Sequence, residues 1–157
     1  MTIQETSSIR RTASEVWPYI VTPEHFREWN PNIASVEARD RFVQGQIFTT
    51  HYLWKQKPMQ CRSVVIRLVE RECLEIRHSD CLGPKIRRDT EVRERITLSE
   101  EKGRTVVVRT VKVRNHGIPW IFVGVIWLVT KFGKRVGPDR LKLMCEGEQS
   151  LEGRKAP

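Results

Sequence analysis

Four polar side chains stand in apolar rows of alternating sequence, where a carboxylate, a guanidinium, an imidazole and a phenol could anchor or protonate a small molecule. In Thr90-x-Val92-x-Glu94-x-Ile96-x-Leu98 the even positions form a row of core type that contains Glu94. Successive side chains of a strand point to opposite faces, so this carboxylate shares its face with the core. Arg109 stands in the same way among Val107, Val111 and Val113. Opposite charges turned inward on neighbouring strands are expected to pair, because a lone buried charge is costly. Leu74-x-Ile76-x-His78 turns His78 inward, and Phe48-x-Thr50-x-Tyr52-x-Trp54 does the same for Tyr52. The row Val64-x-Ile66-x-Leu68 places Arg62 at the rim of the same face. Such groups in an apolar pocket either orient a bound ligand or act as general acid and base.

The elements that must hold these residues follow in an uncommon order. Ile3 to Ile9 reads as a polar, loosely alternating edge strand. Thr12-Ala-Ser-Glu15 fits a capping box ahead of Val16-Trp17-Pro18-Tyr19-Ile20, and Pro18 keeps that helix short or bent. Thr22-Pro23-Glu24 opens a second helix with threonine as cap and proline at the first position. Trp29-Asn30-Pro31 closes it, since Pro31 disfavours helical geometry at Asn30. From Ile33 to Asn115 turn signals at Gly45, Lys57-Pro58, Gly83-Pro84 and Lys102-Gly103 separate runs rich in valine, isoleucine and threonine. They predict strands over Ile33 to Arg39, Gln46 to Trp54, Gln60 to Glu70, Cys73 to His78, Arg88 to Ser99 and Arg104 to Arg114, joined as an antiparallel meander.

Ile118 to Thr130 is apolar almost throughout, too short for a bilayer span and suited to a core helix. Ile118, Phe122, Val125, Val129, Phe132 and Val136 recur at helical spacing and form the stripe expected against the sheet. Trp120, Val123 and Trp127 lie on the other side, in line with Lys131 and Lys134. That face suits a contact with an anionic membrane or a second subunit, unless the short helices or a loop cover it. Gly133 and Gly137-Pro138 break the helix before Asp139 to Glu146.

The chain carries 28 Lys and Arg against 19 acids, a net charge of +9. No helix-turn-helix, RNP-type or zinc-finger pattern accompanies the excess, which argues against nucleic acid as the partner. Arg62, Arg67, Arg77, Arg93, Arg95, Arg104 and Arg114 alternate with apolar residues, as on an outer sheet face. Cys61, Cys73, Cys81 and Cys145 form no C-x-x-C pair and are expected to be reduced, mostly structural thiols in a cytoplasmic protein. His25, His51, His78 and His116 show no metal-ligand spacing, so no metal site and no cofactor are expected.

Val16-Trp17-Pro18, Thr22-Pro23-Glu24, Trp29-Asn30-Pro31 and Leu141-Lys142-x-x-Cys145-Glu146 resemble the START-like, or SRPBCC, helix-grip superfamily over Ile3 to Gly147. That group includes polyketide cyclases, lipid-transfer domains, coenzyme Q binding proteins and the birch-pollen allergens. The resemblance implies an α+β fold, in which a curved antiparallel sheet with two short helices after its first strand wraps around a long C-terminal helix. It also implies that Trp29 lies against the open end of the grip. Residues 1–147 then form one ligand-binding domain and residues 148–157 a polar tail. The expected function is binding or transport of a small hydrophobic ligand, a lipid, quinone or polyketide-like molecule, between sheet and helix. Trp29, Tyr52, His78, Glu94, Arg109 and Phe122 are its expected contacts. The alternative is a cyclase or dehydratase with Glu94 or His78 as acid or base. A third reading makes the Trp120 and Trp127 face, with Lys131 and Lys134, a peripheral membrane or homodimer contact.

Overall fold

The computed structural model describes residues 2–30, 32–54, 57–83, 90–114 and 137–152. Its elements are β1 (Thr2–Ile9), α1 (Ala13–Val21), α2 (Pro23–Trp29), β2 (Ile33–Glu37), β3 (Ile47–Trp54), β4 (Lys57–Val69), β5 (Cys73–Leu82), β6 (Glu91–Glu101), β7 (Arg104–Arg114) and α3 (Gly137–Glu152). The strands form one antiparallel sheet in the order β1-β7-β6-β5-β4-β3-β2. Because β1 and β2 are its two edges, the α1–α2 segment between them spans the width of the curled sheet. This is the α+β helix-grip architecture.

Local chemistry explains the helical strap. Glu15 accepts hydrogen bonds from the Thr12 backbone N–H and hydroxyl, each at 2.9 Å, which closes the start of α1. Thr22 ends α1 by donating its N–H to the Pro18 carbonyl at 3.1 Å, and its own carbonyl accepts the first bond of α2 from Phe26 at 2.9 Å. Pro23 then fills the first helical position, where no N–H is required. Val16, Trp17, Ile20 and Phe26 are buried against Ile9, Phe42, Phe48, Leu74, Ile76, Ile96 and Val107. Phe42 joins strap and sheet, edge-on to Phe26 and stacked on Phe48.

Helix α3 packs on β1, α1 and α2 through buried Leu141 and Cys145. Its polar side is tied to the turn after β1, where the Arg10 N–H donates to Glu146 at 2.8 Å and Arg11 Nε to the Cys145 carbonyl at 3.0 Å. The apolar helix expected over Ile118 to Thr130, with Phe122, Trp120, Trp127, Lys131 and Lys134, lies outside the described residues.

Two expectations are corrected. In β4 the inward row is Cys61, Ser63 and Val65, not Val64 and Ile66, and Arg62 is exposed on the outer face. A bulge between Val65 and Arg67 then returns Leu68 to the core side, which alternation alone does not reveal. The cysteines are also not all reduced. Cys61 and Cys81 face each other on β4 and β5 with Cα atoms 4.1 Å apart and form a disulfide. Strand pairing brings together residues whose sequence spacing gives no such signal. Cys73 and Cys145 remain buried thiols, and burial pushes the Cys73 thiol up.

Candidate functional site

A row of polar side chains crosses the concave face of the sheet, one from each of six strands. It runs from Thr50 on β3 through Ser63 on β4, His78 on β5, Glu94 on β6 and Arg109 on β7 to Glu5 on β1. Each link is direct. The Thr50 and Ser63 hydroxyls share a hydrogen bond at 2.7 Å, and Ser63 Oγ lies 2.7 Å from His78 Nδ1. His78 Nε2 stands 3.8 Å from Glu94 Oε2. Arg109 donates from Nε to Glu94 Oε1 at 2.6 Å and from its terminal nitrogen to Glu5 Oε2 at 3.1 Å.

The row lies in the interior, with His78 at 1% and Glu94 at 3% exposure. Burial alone would raise the Glu94 pKa, but the Arg109 charge, the nearby His78 and the Arg109 hydrogen bond outweigh it and hold the carboxyl at about 2. On the other side of the pair, burial would lower the Arg109 pKa, while the Glu94 charge and hydrogen bond and the nearby Glu5 raise it. Both groups are therefore ionised, and Glu94 serves as counter-ion to Arg109 rather than as a proton donor.

Aromatic residues frame the row. Trp29 is buried at the end of α2, where its Nε1 donates to the Tyr19 carbonyl at 3.0 Å and its ring lies 5.7 Å from the Arg109 guanidinium. The half-buried Tyr52 meets His78 edge-on, with its hydroxyl 3.3 Å from Nδ1 and 3.2 Å from Nε2. Burial, and then the Glu94 charge, push the phenol well above its ordinary range, against an opposing Arg109, so Tyr52 stays protonated and able to donate. Tyr52 also borders a hollow of about 260 Å³ lined by Ala34, His51, Leu53, Pro58, Met59, Gln60 and Leu82. A larger hollow of about 510 Å³ lies near the start of β5 and the end of β6, away from the row, between Arg67, Arg71, Arg95 and Glu72.

Of the six residues read as ligand contacts, Trp29, Tyr52, His78, Glu94 and Arg109 come together in this one constellation, and Phe122 lies outside the described residues. His78 is mid-strand because β5 runs on to Leu82. Thr50, Ser63 and Glu5 complete the row and escaped the sequence reading. Thr50 shares the Phe48-Tyr52 row, which is a usable signal. Asn30 has both amide atoms buried with no hydrogen-bond partner among the described residues, a state that water or a ligand normally completes. No group of three or more His, Cys, Asp or Glu among the described residues could hold a metal ion. No helix among them is long and apolar enough to cross a membrane.

A curled sheet gripping helices, with a polar row inside its concave face, defines a START-like domain. Within that class the chain belongs to the Activator of Hsp90 ATPase homolog 1-like protein family, which it matches over residues 10–119. No curated protein matches it significantly. Solved structures share the fold at low identity. A protein from Arthrobacter aurescens is 10% identical with a TM-score of 0.70, over 93% of this chain and 86% of its own. Ara h 8.0201 is 14% identical with a TM-score of 0.60, over 94% and 96%. DynU16, from the dynemicin biosynthetic locus, is 18% identical with a TM-score of 0.62, over 92% of this chain and 47% of its own.

Proposed function

We propose that the concave face binds a small, mainly apolar molecule, a lipid, quinone or polyketide-like compound, whose one polar group is received by Tyr52 and His78. The observation that carries this reading is the state of the Tyr52 hydroxyl. It lies almost equally far from both His78 nitrogens, at 3.3 Å and 3.2 Å, so its single hydrogen is shared between two long contacts, and it sits on a half-buried ring in contact with the row. A ligand carbonyl or hydroxyl can take that hydrogen bond without breaking the Glu94–Arg109 pair. Asn30, beside Trp29, offers a further buried donor and acceptor.

The enzymatic alternative gives His78 the role of base and Tyr52 that of proton donor on a polyketide-like substrate. The contact between them favours it, whereas Glu94, held ionised by Arg109, is poorly suited as an acid. DynU16 shows that this fold occurs within a biosynthetic locus.

Native mass spectrometry of the purified chain is expected to show a co-purifying apolar molecule. The extracted molecule should displace 8-anilinonaphthalene-1-sulfonate from the parent. Removing the hydroxyl with Tyr52→Phe should weaken that displacement about fivefold to tenfold, the effect of one hydrogen bond. Spectra of the bare chain alone, together with dye binding that Tyr52→Phe leaves unchanged, would overturn the reading. Turnover of the extracted molecule that Tyr52→Phe abolishes would select the enzymatic alternative.

A further inference from the structure

The convex face of the sheet carries charge that the fold does not use. Strand registers place Arg62 and Arg67 of β4, Arg77 of β5, Arg93 and Arg95 of β6 and Arg104, Lys112 and Arg114 of β7 on it. Its acids there are Glu75, taken by Arg95 at 2.7 Å, Glu91, taken by Arg93 at 2.9 Å, and Glu101, opposite Arg104 at the strand ends. Arg62, Arg67, Arg77 and Lys112 have no acidic partner among the described residues. Moreover, Arg77, Arg93 and Lys112 stand directly opposite one another on three adjacent strands. Like charges in that arrangement cost stability. The Arg77 Nε is in addition buried without an acceptor among the described residues. Cations kept in register at a cost to the fold are explained by an anionic partner.

We propose that this face seats the protein on an anionic phospholipid bilayer. It spans four strands, roughly 14 Å at sheet spacing, and is a broad surface rather than a groove that could track a nucleic-acid backbone. Strands β4 to β7 carry no Phe, Tyr or Trp, so bases find no stacking platform there. At the strand ends beyond Arg62, Leu53 is 49% exposed and Leu82 is 51% exposed. Apolar tips bordering a basic field suit insertion at headgroup level while arginines meet lipid phosphates. Arg62, Arg77 and Lys112 lie on the face opposite Tyr52 and His78, so variants at these cations test this reading apart from the ligand reading.

Co-sedimentation of the full chain tests the proposal, with vesicles of phosphatidylcholine alone and of phosphatidylcholine mixed with phosphatidylserine. Binding is expected only to the mixed vesicles and should weaken with salt. Arg77→Gln combined with Lys112→Gln should lower the affinity about 30-fold, at about fivefold for each cation removed. The same double variant should melt at or above the parent temperature, because the opposed charges are gone. Arg62→Gln, on an exposed position, should alone reduce vesicle affinity about fivefold. The proposal is overturned by a parent that ignores the mixed vesicles at low salt, or by binding that the double variant and Arg62→Gln both retain. A parent that holds oligothymidylate more tightly than mixed vesicles and loses that affinity in the double variant would overturn it as well.

Discussion

Arg109 donates its Nε hydrogen to Glu94 across neighbouring strands at 2.6 Å, inside the protein, and the two charges form a single buried unit. Glu5 at 3.1 Å gives Arg109 a second carboxylate, and Trp29 covers it.

Glu94→Gln keeps the shape but removes the counter-charge. Breaking a buried pair typically costs about 3–5 kcal/mol, and the remaining Glu5 places this variant at about 3 kcal/mol in urea denaturation. The acid limb of stability should change too. The Glu94 carboxyl is depressed from 4.5 to about 2 on folding, so its contribution is full above the unfolded value and fades as pH falls from 4.5 toward 2. A parent and variant with parallel stability profiles across that window would show that Glu94 contributes nothing through its charge.

Asn30→Leu exchanges a buried amide without partners for an apolar side chain of similar size. The folded state should gain about 1 kcal/mol, since a buried unsatisfied polar group is removed. Ligand displacement of the dye should weaken at the same time. A variant that is destabilised would show that the amide is satisfied by an internal water.

Reduction of the Cys61–Cys81 bond, which spans 20 residues, should lower unfolding free energy by about 3 kcal/mol, read as the difference in urea midpoints with and without dithiothreitol. Cys81→Ser should reproduce the reduced midpoint and abolish the response to the reductant. Acid-quenched alkylation of freshly lysed cells should trap the bond intact, as in an oxidising compartment. Two alkylated sites at Cys61 and Cys81 would instead return the protein to the reduced setting expected from cysteine spacing.

Alternation placed Glu94, Arg109, His78 and Tyr52 toward the core because the pairing of β6 with β7, of β5 with β6 and of β3 with β4 runs without a shift through those residues. It failed on β4, where shifts fall between Gln60 and Arg62 and between Val65 and Arg67, so Ser63 went unnoticed and Arg62 was turned the wrong way. A bulge is a property of two paired strands, and one strand read alone carries little trace of it. Glu5 was obscured by a different cause, since the inner row of β1, Ile3-x-Glu5-x-Ser7-x-Ile9, is apolar only at its two ends. The strap was legible from its caps because threonine and proline at Thr22-Pro23 act locally, without help from tertiary contacts.

The polar row also acts as a key for strand alignment. Sliding β5 by one residue would withdraw His78 from Ser63 and Glu94 and bring Arg77 or Ser79 to the inner face. The displaced β5 would strand ionised or hydrogen-bonding groups in a dry interior, a penalty that an all-valine face would not impose. Six strands are checked in this way by one residue each. A misaligned sheet is thus a high-energy species from the moment it collapses, and the row edits the fold before any ligand arrives.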